Sequence, residues 1–219
     1  MTTVVITGTN RGIGLELARQ YAEQGCEVIA ACREPSAELS ALDVDVCAGV
    51  EVATDAGARK LRQHIGDRTV DILINNAGML RSDRYESIDF DAMEEQFRVN
   101  TLGPLRVTLA IADALSEGSK VAIVSSRVGS VADNASGNNY GYRASKAAVN
   151  MVGMNLRHDL ADRGIAVILL HPGLVATDMT GGTGIDATDS AIGLRARIDE
   201  LDMSSSGSFW HANGEELPW

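Results

Sequence analysis

The sequence predicts an α/β protein, a doubly wound parallel sheet with helices on both faces, in one domain spanning residues 1–219. Apolar, β-branched runs such as residues 3–7 alternate along the chain with longer segments of helical spacing, an order typical of right-handed βαβ units. These runs lack polar alternation, as expected for strands buried on both faces. A glycine-rich turn at residues 8–14 joins the first strand to the first helix, which is also typical of this class.

The first half of the chain carries four of the predicted strands. Three of them are compact apolar runs, and the third in sequence order is less regular because Gly49 interrupts it. Helical segments follow the first and third strands, and the first helix stops at Gly25. The predicted strands are residues 3–7, 27–32, 44–52 and 71–74, and the predicted helices are residues 15–22 and 56–65.

The second half of the chain contains two long predicted helices. One is expected over residues 90–115, bent at Gly103-Pro104 because proline cannot donate to the helical ladder. The other begins near Tyr142, continues with good helix formers and ends at Gly164. The remaining predicted elements are strands at residues 121–124, 166–170 and 209–210, and a short helix at residues 190–201.

Composition narrows the function classes. The formal net charge of −11 and a sequence pI of about 4.7 argue against nucleic acid or an anionic membrane as the main partner, since both need a basic face. No apolar run approaches the roughly 20 residues of a membrane span, and no charged-then-apolar leader is expected. We therefore expect a protein that binds neither nucleic acid nor membrane.

The cysteines indicate the compartment, and the histidines bear on whether a metal site is present. Cys26, Cys32 and Cys47 are odd in number and form no C-x-x-C pair, which favours free thiols in a reducing, cytoplasmic setting. The four histidines show no metal-ligand spacing, so no metal site is expected.

The glycine-rich turn is a candidate phosphate site. Gly8, Gly12 and Gly14 let the backbone approach an anion, and the N-terminus of the following helix directs free N–H groups and a positive dipole end toward it. The alternative is a tight turn with a purely structural role.

Two arginines favour NADP over NAD. An acidic residue at the end of the second strand would bond the adenosine ribose, but here Arg33 follows that strand at once. Arg11, inside the glycine-rich turn, is a second candidate ligand for the 2′-phosphate, because arginine binds phosphate bidentately. The alternative is that both arginines are solvated surface residues.

Tyr142 and Lys146 form the candidate acid–base pair. They are four residues apart, so on a helix they lie on one face, one turn from each other. A neighbouring ammonium favours the ionised phenol and should lower the tyrosine pKa from its reference of about 10. Such a tyrosine could act as a general acid or base. With only three lysines in the chain, a chance surface pair is a weaker alternative.

Two further polar residues occupy notable positions. Ser126 follows the predicted strand at residues 121–124, and ligands of such sheets bind beyond the carboxyl ends of strands. Asn100 lies inside a predicted helix, where asparagine is mildly unfavourable. Taken alone, Asn100 would be interpreted as a solvent-facing helix residue.

Several motifs occur together along the chain: Thr7-Gly8-x-x-x-Gly12-x-Gly14, Asn75-Asn76-Ala77-Gly78, Asn100, Ser126, Tyr142-x-x-x-Lys146 and Pro172-Gly173. This joint pattern resembles the short-chain dehydrogenase/reductase family over essentially the whole chain. Residues 127–130 and the C-terminal segment are similar to the small carbonyl-reductase and C-factor-like branch. The resemblance implies a three-layer Rossmann fold with a seven-stranded parallel sheet, and NADP(H) as the cofactor.

The resemblance also implies the catalytic roles. Tyr142 would be the acid/base, while Lys146 would bind the nicotinamide ribose and lower the Tyr142 pKa. Ser126 would orient the carbonyl, with Ser130 as a rival because the interval from Ser126 to Tyr142 is long for the family. Asn100 would hold the water of a proton relay.

The cofactor contacts implied by the resemblance cover both halves of the chain. Glu51-Val52 stands where the family usually has Asp-Val, so its contact to adenine is a looser match. The full set is Gly8, Asn10, Arg11, Gly12, Ile13, Gly14, Arg33, Glu51, Val52, Asn75, Ala77, Gly78, Tyr142, Lys146, Pro172, Gly173, Val175 and Thr177.

The expected function is NADPH-dependent reduction of a small-molecule ketone or aldehyde by hydride transfer, with Tyr142 as proton donor. Alcohol oxidation is the reverse possibility, although an NADP-type site favours reduction. The alternative of another class is a C-factor-like signalling or interaction protein without a metabolic substrate, against which the complete polar set argues. The family resemblance further implies a homodimer or homotetramer through the two long helices.

Overall fold

A computed structural model describes residues 1–219. Seven parallel strands form one sheet in the order β3-β2-β1-β4-β5-β6-β7. The predicted seven-stranded parallel fold is therefore confirmed. The strands are β1 Thr3–Thr7, β2 Glu27–Ala31, β3 Asp45–Cys47, β4 Val70–Asn75, β5 Leu115–Val124, β6 Ala166–His171 and β7 Ser208–His211.

Helices cover both faces of the sheet. The α1 and α7 helices contribute to the apolar cluster on one face, and α3, α5 and α6 contribute to the cluster on the other. No helix is both long enough and apolar enough to cross a membrane. The helices are α1 Gly12–Glu23, α2 Ala37–Ser40, α3 Asp55–Ile65, α4 Phe90–Phe97, α5 Gly103–Ala110, α6 Tyr140–Ala161 and α7 Ala187–Glu200.

The central strands have mainly apolar side chains in their buried parts because both of their faces are covered. All five residues of β1 are buried. Val5 belongs to the cluster under α3, α5 and α6, whereas Val4 and Ile6 belong to the opposite one. Successive side chains of a strand point to opposite faces, so a strand between two helical layers needs apolar residues at every position.

The predicted helix over residues 90–115 is wrong in two respects. It is divided into α4, a π-helical turn at Arg98–Leu102, and α5, which begins at Gly103 and ends at Ala110. Pro104 stands in the first turn of α5, where its missing N–H has no helical partner to lose. Leu115 already belongs to β5, which therefore starts six residues before the predicted strand at residues 121–124.

The strand order positions the site. Strands β2 and β3 lie on one side of β1, and strands β4 to β7 are added on its other side. The β1 and β4 strands are therefore parallel neighbours although they are not consecutive in the chain, and the strand order reverses between them. Their carboxyl ends meet at one edge, and ligands of doubly wound sheets bind in the crevice beyond such a switch point. The glycine-rich turn follows β1 at this edge, and residues 76–78 follow β4 beside it.

Candidate active site

Thr7 and Asn76 join the ends of β1 and β4. The Thr7 hydroxyl accepts the backbone N–H groups of Asn76 and Ala77, each at 3.1 Å. In return, the Asn76 side-chain amide donates to the carbonyl oxygens of Thr7, at 3.0 Å, and Gly8, at 3.2 Å. These four bonds hold the glycine-rich turn against the residues that follow β4.

The glycines of this turn are required by close backbone contact. Gly8 has a φ of 73°, and a Cβ there would lie 2.8 Å from the Cα of Ala77. A Cβ on Gly14 would lie 2.2 Å from the carbonyl oxygen of Gly8. Real side chains do not tolerate such distances, so the turn can take this shape only with glycine at both positions.

The N-terminus of α1 is open to an anion. Its N-cap residue, Arg11, makes no side-chain cap, and the first turn contains no acidic residue. The first N–H groups of a helix lack partners within the helix, and the dipole favours negative charge there. Together with the glycine backbone, this helix start fits the pyrophosphate of a dinucleotide.

The two arginines predicted to select NADP each contact a carboxylate. An Arg11 guanidinium nitrogen lies 3.0 Å from Asp178, and one of Arg33 lies 3.5 Å from Glu51. All of these groups except Glu51 are mostly exposed, so the ion pairs are weak and can exchange partners. Glu51 also accepts the N–H of Ala53 at 3.2 Å, which holds its carboxylate near the end of β2.

Tyr142 and Lys146 lie on α6, one turn apart, as predicted. The Lys146 side chain is buried, its Nζ donates to the carbonyl oxygen of Val124 at 2.9 Å, and it lies 5.6 Å from the centroid of the Tyr142 ring. Burial lowers the Lys146 pKa to about 8. Burial also raises the Tyr142 pKa to about 12, opposed by a hydrogen bond with Ser126.

The expected lowering of the Tyr142 pKa is therefore not seen in this structure. The four-residue spacing predicted that Lys146 lies beside the Tyr142 phenol, but it could not predict that the phenol and the ammonium are both buried. Desolvation penalises the charged form of each group, so it acts against both the phenolate and the ammonium. Here it is the largest cause of the shift for both groups.

The structure brings Ser126, not Ser130, to the tyrosine. Ser126 follows β5, is buried, and its hydroxyl is within hydrogen-bonding reach of Tyr142. The Ser130 hydroxyl instead accepts the N–H of Asp133 at 3.1 Å, inside its own loop. Ser126 is thus the serine that affects the pKa of the Tyr142 phenol.

Asn100 is buried, which contradicts the solvent-facing alternative. Its side-chain oxygen accepts the N–H of Met79 at 2.8 Å, and its amide donates to the carbonyl oxygen of Met79 at 2.8 Å and to the Ser145 hydroxyl at 3.0 Å. Both amide hydrogens are therefore used within the protein. A Cβ on Gly78 would lie 3.3 Å from Asn100 and 3.7 Å from Lys146, so glycine leaves room between them.

Of the other predicted cofactor contacts, Thr177 borders the glycine-rich turn, whereas Asn75 and Pro172 bond to neighbouring helices. A Cβ on Gly12 would lie 3.2 Å from the Thr177 side chain, so Thr177 borders the glycine-rich turn. Asn75, by contrast, is buried and donates to the Thr108 hydroxyl at 3.1 Å, so its side chain holds α5. The carbonyl oxygen of Pro172 accepts the Ser190 hydroxyl at 2.8 Å and ties the end of β6 to α7.

Sequence reasoning missed two polar features near the site. His171 ends β6, and its ring packs edge-on against His211 at 4.7 Å between centroids. Burial, with positive charge nearby, lowers the His171 pKa to about 3. The second is Asp83, a buried residue between β4 and α4 whose side chain accepts the backbone N–H of Tyr140 at the start of α6. The Asp83 contact spans 57 residues, so local spacing gave no signal for it.

Comparison with known proteins shows the family of the chain. A family model described as short chain dehydrogenase matches residues 2–187. A 1-hydroxy-2-glutathionyl-2-methyl-3-butene dehydrogenase of Rhodococcus sp. (strain AD45) is 42% identical over 226 residues, with 100% of each chain covered. The C-signal protein of Myxococcus xanthus is 44% identical over 154 residues, covering 68% of this chain and 93% of that protein.

Solved carbonyl reductases have the same fold. The NADPH-bound enzyme from chicken fatty liver superposes with a TM-score of 0.92 at 27% identity, covering 100% of this chain and 99% of that one. A carbonyl reductase from Pseudomonas aeruginosa PAO1 in complex with NADP gives 0.87 at 28% identity, with 100% of each chain covered.

Proposed function

Since the chain belongs to the short-chain dehydrogenase family of oxidoreductases, we propose that it reduces a ketone or aldehyde to an alcohol with NADPH. The observation that carries the proposal is the buried ammonium of Lys146 5.6 Å from the centroid of the Tyr142 ring, with Ser126 near enough to lower the Tyr142 pKa. These groups lie at the carboxyl edge of the sheet, next to a helix start that is open to an anion.

In the proposed reaction, Ser126 and Tyr142 both donate hydrogen bonds to the substrate carbonyl oxygen. Negative charge develops on this oxygen, and donors already aimed at it stabilise the transition state. Bound NADPH supplies the hydride that reduces the carbonyl carbon. Tyr142 then transfers its proton to the oxygen. Lys146 stabilises the phenolate that remains, and a buried cation does so strongly because the local dielectric is low.

The cofactor is proposed to be held by the start of α1 and by Arg11 and Arg33. The glycine backbone accepts the pyrophosphate, while the two arginines exchange Asp178 and Glu51 for the 2′-phosphate of NADP. A doubly charged phosphate attracts a guanidinium more strongly than an exposed carboxylate does. The carbonyl reductases of the same fold that contain NADPH or NADP support this assignment.

Two other candidates have specific support. The Rhodococcus relative is named as a dehydrogenase of an alcohol that carries a glutathionyl group, which favours oxidation as the second candidate reaction. The Myxococcus relative is a C-signal protein, which favours the signalling alternative. The complete set of Asn100, Ser126, Tyr142 and Lys146 argues for an enzyme, since a pure binding module does not need all four.

A cofactor-consumption assay tests the proposal. NADPH absorbance is followed with aromatic ketones, diketones and aldehydes, and NADP⁺ reduction is followed with the matching alcohols and with an alcohol bearing a glutathionyl group. We expect turnover of carbonyl compounds with NADPH. Turnover of alcohols alone would support the oxidation candidate. Tight NADPH binding without turnover in either direction would contradict the enzyme and favour the signalling protein.

Compartment and assembly are also part of the proposal. Cys26, Cys32 and Cys47 are all free thiols, which supports a reducing, cytoplasmic compartment. Exposed apolar side chains on α5 and α6, such as Leu109 and Met151, support a homodimer or homotetramer. Light scattering of the purified protein would give its mass in solution.

A further inference from the structure

Asp83 is a buried acid on the segment between β4 and α4. Its two carboxylate oxygens accept the backbone N–H groups of Tyr140, at 2.6 Å, and Gly141, at 3.0 Å, which are the first two residues of α6. Its carbonyl oxygen accepts the N–H of Asn139 at 3.0 Å. Asp83 therefore binds three successive N–H groups, and the next residue along α6 is Tyr142.

The catalytic helix has no cap of its own. Its N-cap residue, Asn139, is in the left-handed region with φ 49° and ψ 48° and makes no side-chain cap. The first N–H groups of a helix are without helical partners, and a carboxylate there also complements the dipole. Asp83 supplies this cap from a position 57 residues earlier in the chain. The start of α6 is consequently held from outside the helix.

The residues that lead to Asp83 are themselves held at alternate positions. Asn100 bonds both backbone groups of Met79, and the buried Gln96 side chain accepts the N–H of Arg81 at 2.9 Å. Asp83 is the third anchored position in this series. The 79–83 segment begins beside Gly78, which borders Lys146, and ends at the first turn of α6.

We propose that Asp83 is a positioning residue for Tyr142. By holding the first turn of α6, its carboxylate determines where the Tyr142 hydroxyl lies relative to Ser126 and the carbonyl oxygen. This inference rests on the proposed role of Tyr142 as proton donor. A displacement of about 1 Å in a reacting group can lower the rate by about a hundredfold. Loss of this cap should therefore lower turnover by more than a loss of folding stability alone would explain.

The test compares Asp83→Ala and Asp83→Asn with Thr54→Ala. Thr54 caps α3 by accepting the N–H of Gly57 at 3.1 Å, so its variant loses a helix cap on an element other than α6. Because the Thr54 hydroxyl also donates to the carbonyl oxygen of Glu51, kcat is measured at saturating NADPH. We expect Asp83→Ala to lower kcat about ten- to a hundredfold while the Kd for NADPH is unchanged. Asp83→Asn should recover part of kcat, because its amide oxygen still accepts one N–H. Thr54→Ala should lower the melting temperature and leave kcat unchanged.

Hydrogen exchange supplies a readout that does not depend on activity. Asp83→Ala should speed amide exchange at residues 140–146, and Thr54→Ala should do so only in α3. The positioning role is overturned if Asp83→Ala leaves kcat unchanged, if Thr54→Ala lowers kcat equally, or if exchange at residues 140–146 is unchanged. A wild-type protein that turns over no carbonyl compound would overturn the proposed function, while the exchange result would still decide whether Asp83 holds the helix.

Discussion

The ammonium of Lys146 lies 5.6 Å from the centre of the Tyr142 ring and donates to the carbonyl oxygen of Val124 at 2.9 Å. The lysine is thus fixed to the end of β5 and faces the phenol from one helical turn away. Burial lowers the Lys146 pKa to about 8 and raises the Tyr142 pKa to about 12. Tyr142 therefore stays protonated throughout the neutral pH range. Of the two groups, Lys146 has the pKa nearer to neutral pH.

Carbonyl reduction should decline in alkali because Lys146 loses its charge. We expect kcat at saturating NADPH to be constant below pH 7 and to fall above about pH 8, approaching tenfold per pH unit. Lys146→Arg should be slower but should lose this decline, because arginine keeps its proton above pH 12. An unchanged decline in Lys146→Arg would assign the titration to another group.

The contact between Gly14 and Gly8 should make the glycine-rich turn intolerant of a methyl group. Gly14→Ala would bring a Cβ within 2.2 Å of the Gly8 carbonyl oxygen, so the turn must move, and NADPH binding should be lost or greatly weakened. Gly25→Ala is the control. Its φ of 76° strains an alanine and should lower stability, but a Cβ there meets no atom within 4 Å and does not push on the glycine-rich turn. Fluorescence titration with NADPH measures both, and normal binding by Gly14→Ala would exclude this turn as the phosphate site.

Arg11 and Arg33 should determine the preference for NADPH over NADH. Removing one charge-assisted contact to the 2′-phosphate should weaken NADPH binding by about tenfold or more and leave NADH binding nearly unchanged. Arg59, an exposed arginine on α3, provides the control variant. Equal Kd values for the two cofactors in the wild-type protein would contradict the assignment.

His171 should make the protein sensitive to acid. Its native pKa is lowered to about 3 from an ordinary value of 6.5, so between these pH values the unfolded chain binds a proton that the native chain does not. The free energy of unfolding should therefore fall as pH falls from 6.5, by at most about 2 kcal/mol at pH 5. Urea unfolding at pH 7 and pH 5 measures this change.

The matched variants are His171→Gln and His158→Gln, the second at an exposed position on α6. The loss of stability between pH 7 and pH 5 should be smaller in His171→Gln than in the wild-type protein. It should be unchanged in His158→Gln. Equal losses in all three proteins would mean that His171 does not titrate on unfolding.

The sequence predicted those elements whose signal is local. Strands β1, β2, β4 and β6 each contain a run of at least three consecutive apolar residues and were found close to their true bounds. The polar residues 116–119 hid the first half of β5. They have no partner residues in β4, because the register shifts there and only Leu115 pairs before Lys120. The division of the helix around Asn100 was hidden for a similar reason, because it depends on contacts with Met79 and Ser145.

In the site, too, local features could be predicted and those that depend on tertiary structure could not. The spacing of Tyr142 and Lys146 placed them on one helix face, but a pKa also depends on burial, which spacing does not give. The choice of Ser126 over Ser130 needed the course of the loop after β5. Asp83 could not be predicted because its partners lie 57 and 58 residues away.

The most direct test of the account is the turnover of Tyr142→Phe, measured together with its affinity for NADPH. This variant lacks only the hydroxyl, so we expect nearly complete loss of carbonyl reduction with an unchanged Kd for NADPH. Tyr140→Phe is the control, because Tyr140 lies on the same helix, six residues from Lys146 and on another face. Substantial reduction by Tyr142→Phe would contradict the assignment of Tyr142 as proton donor.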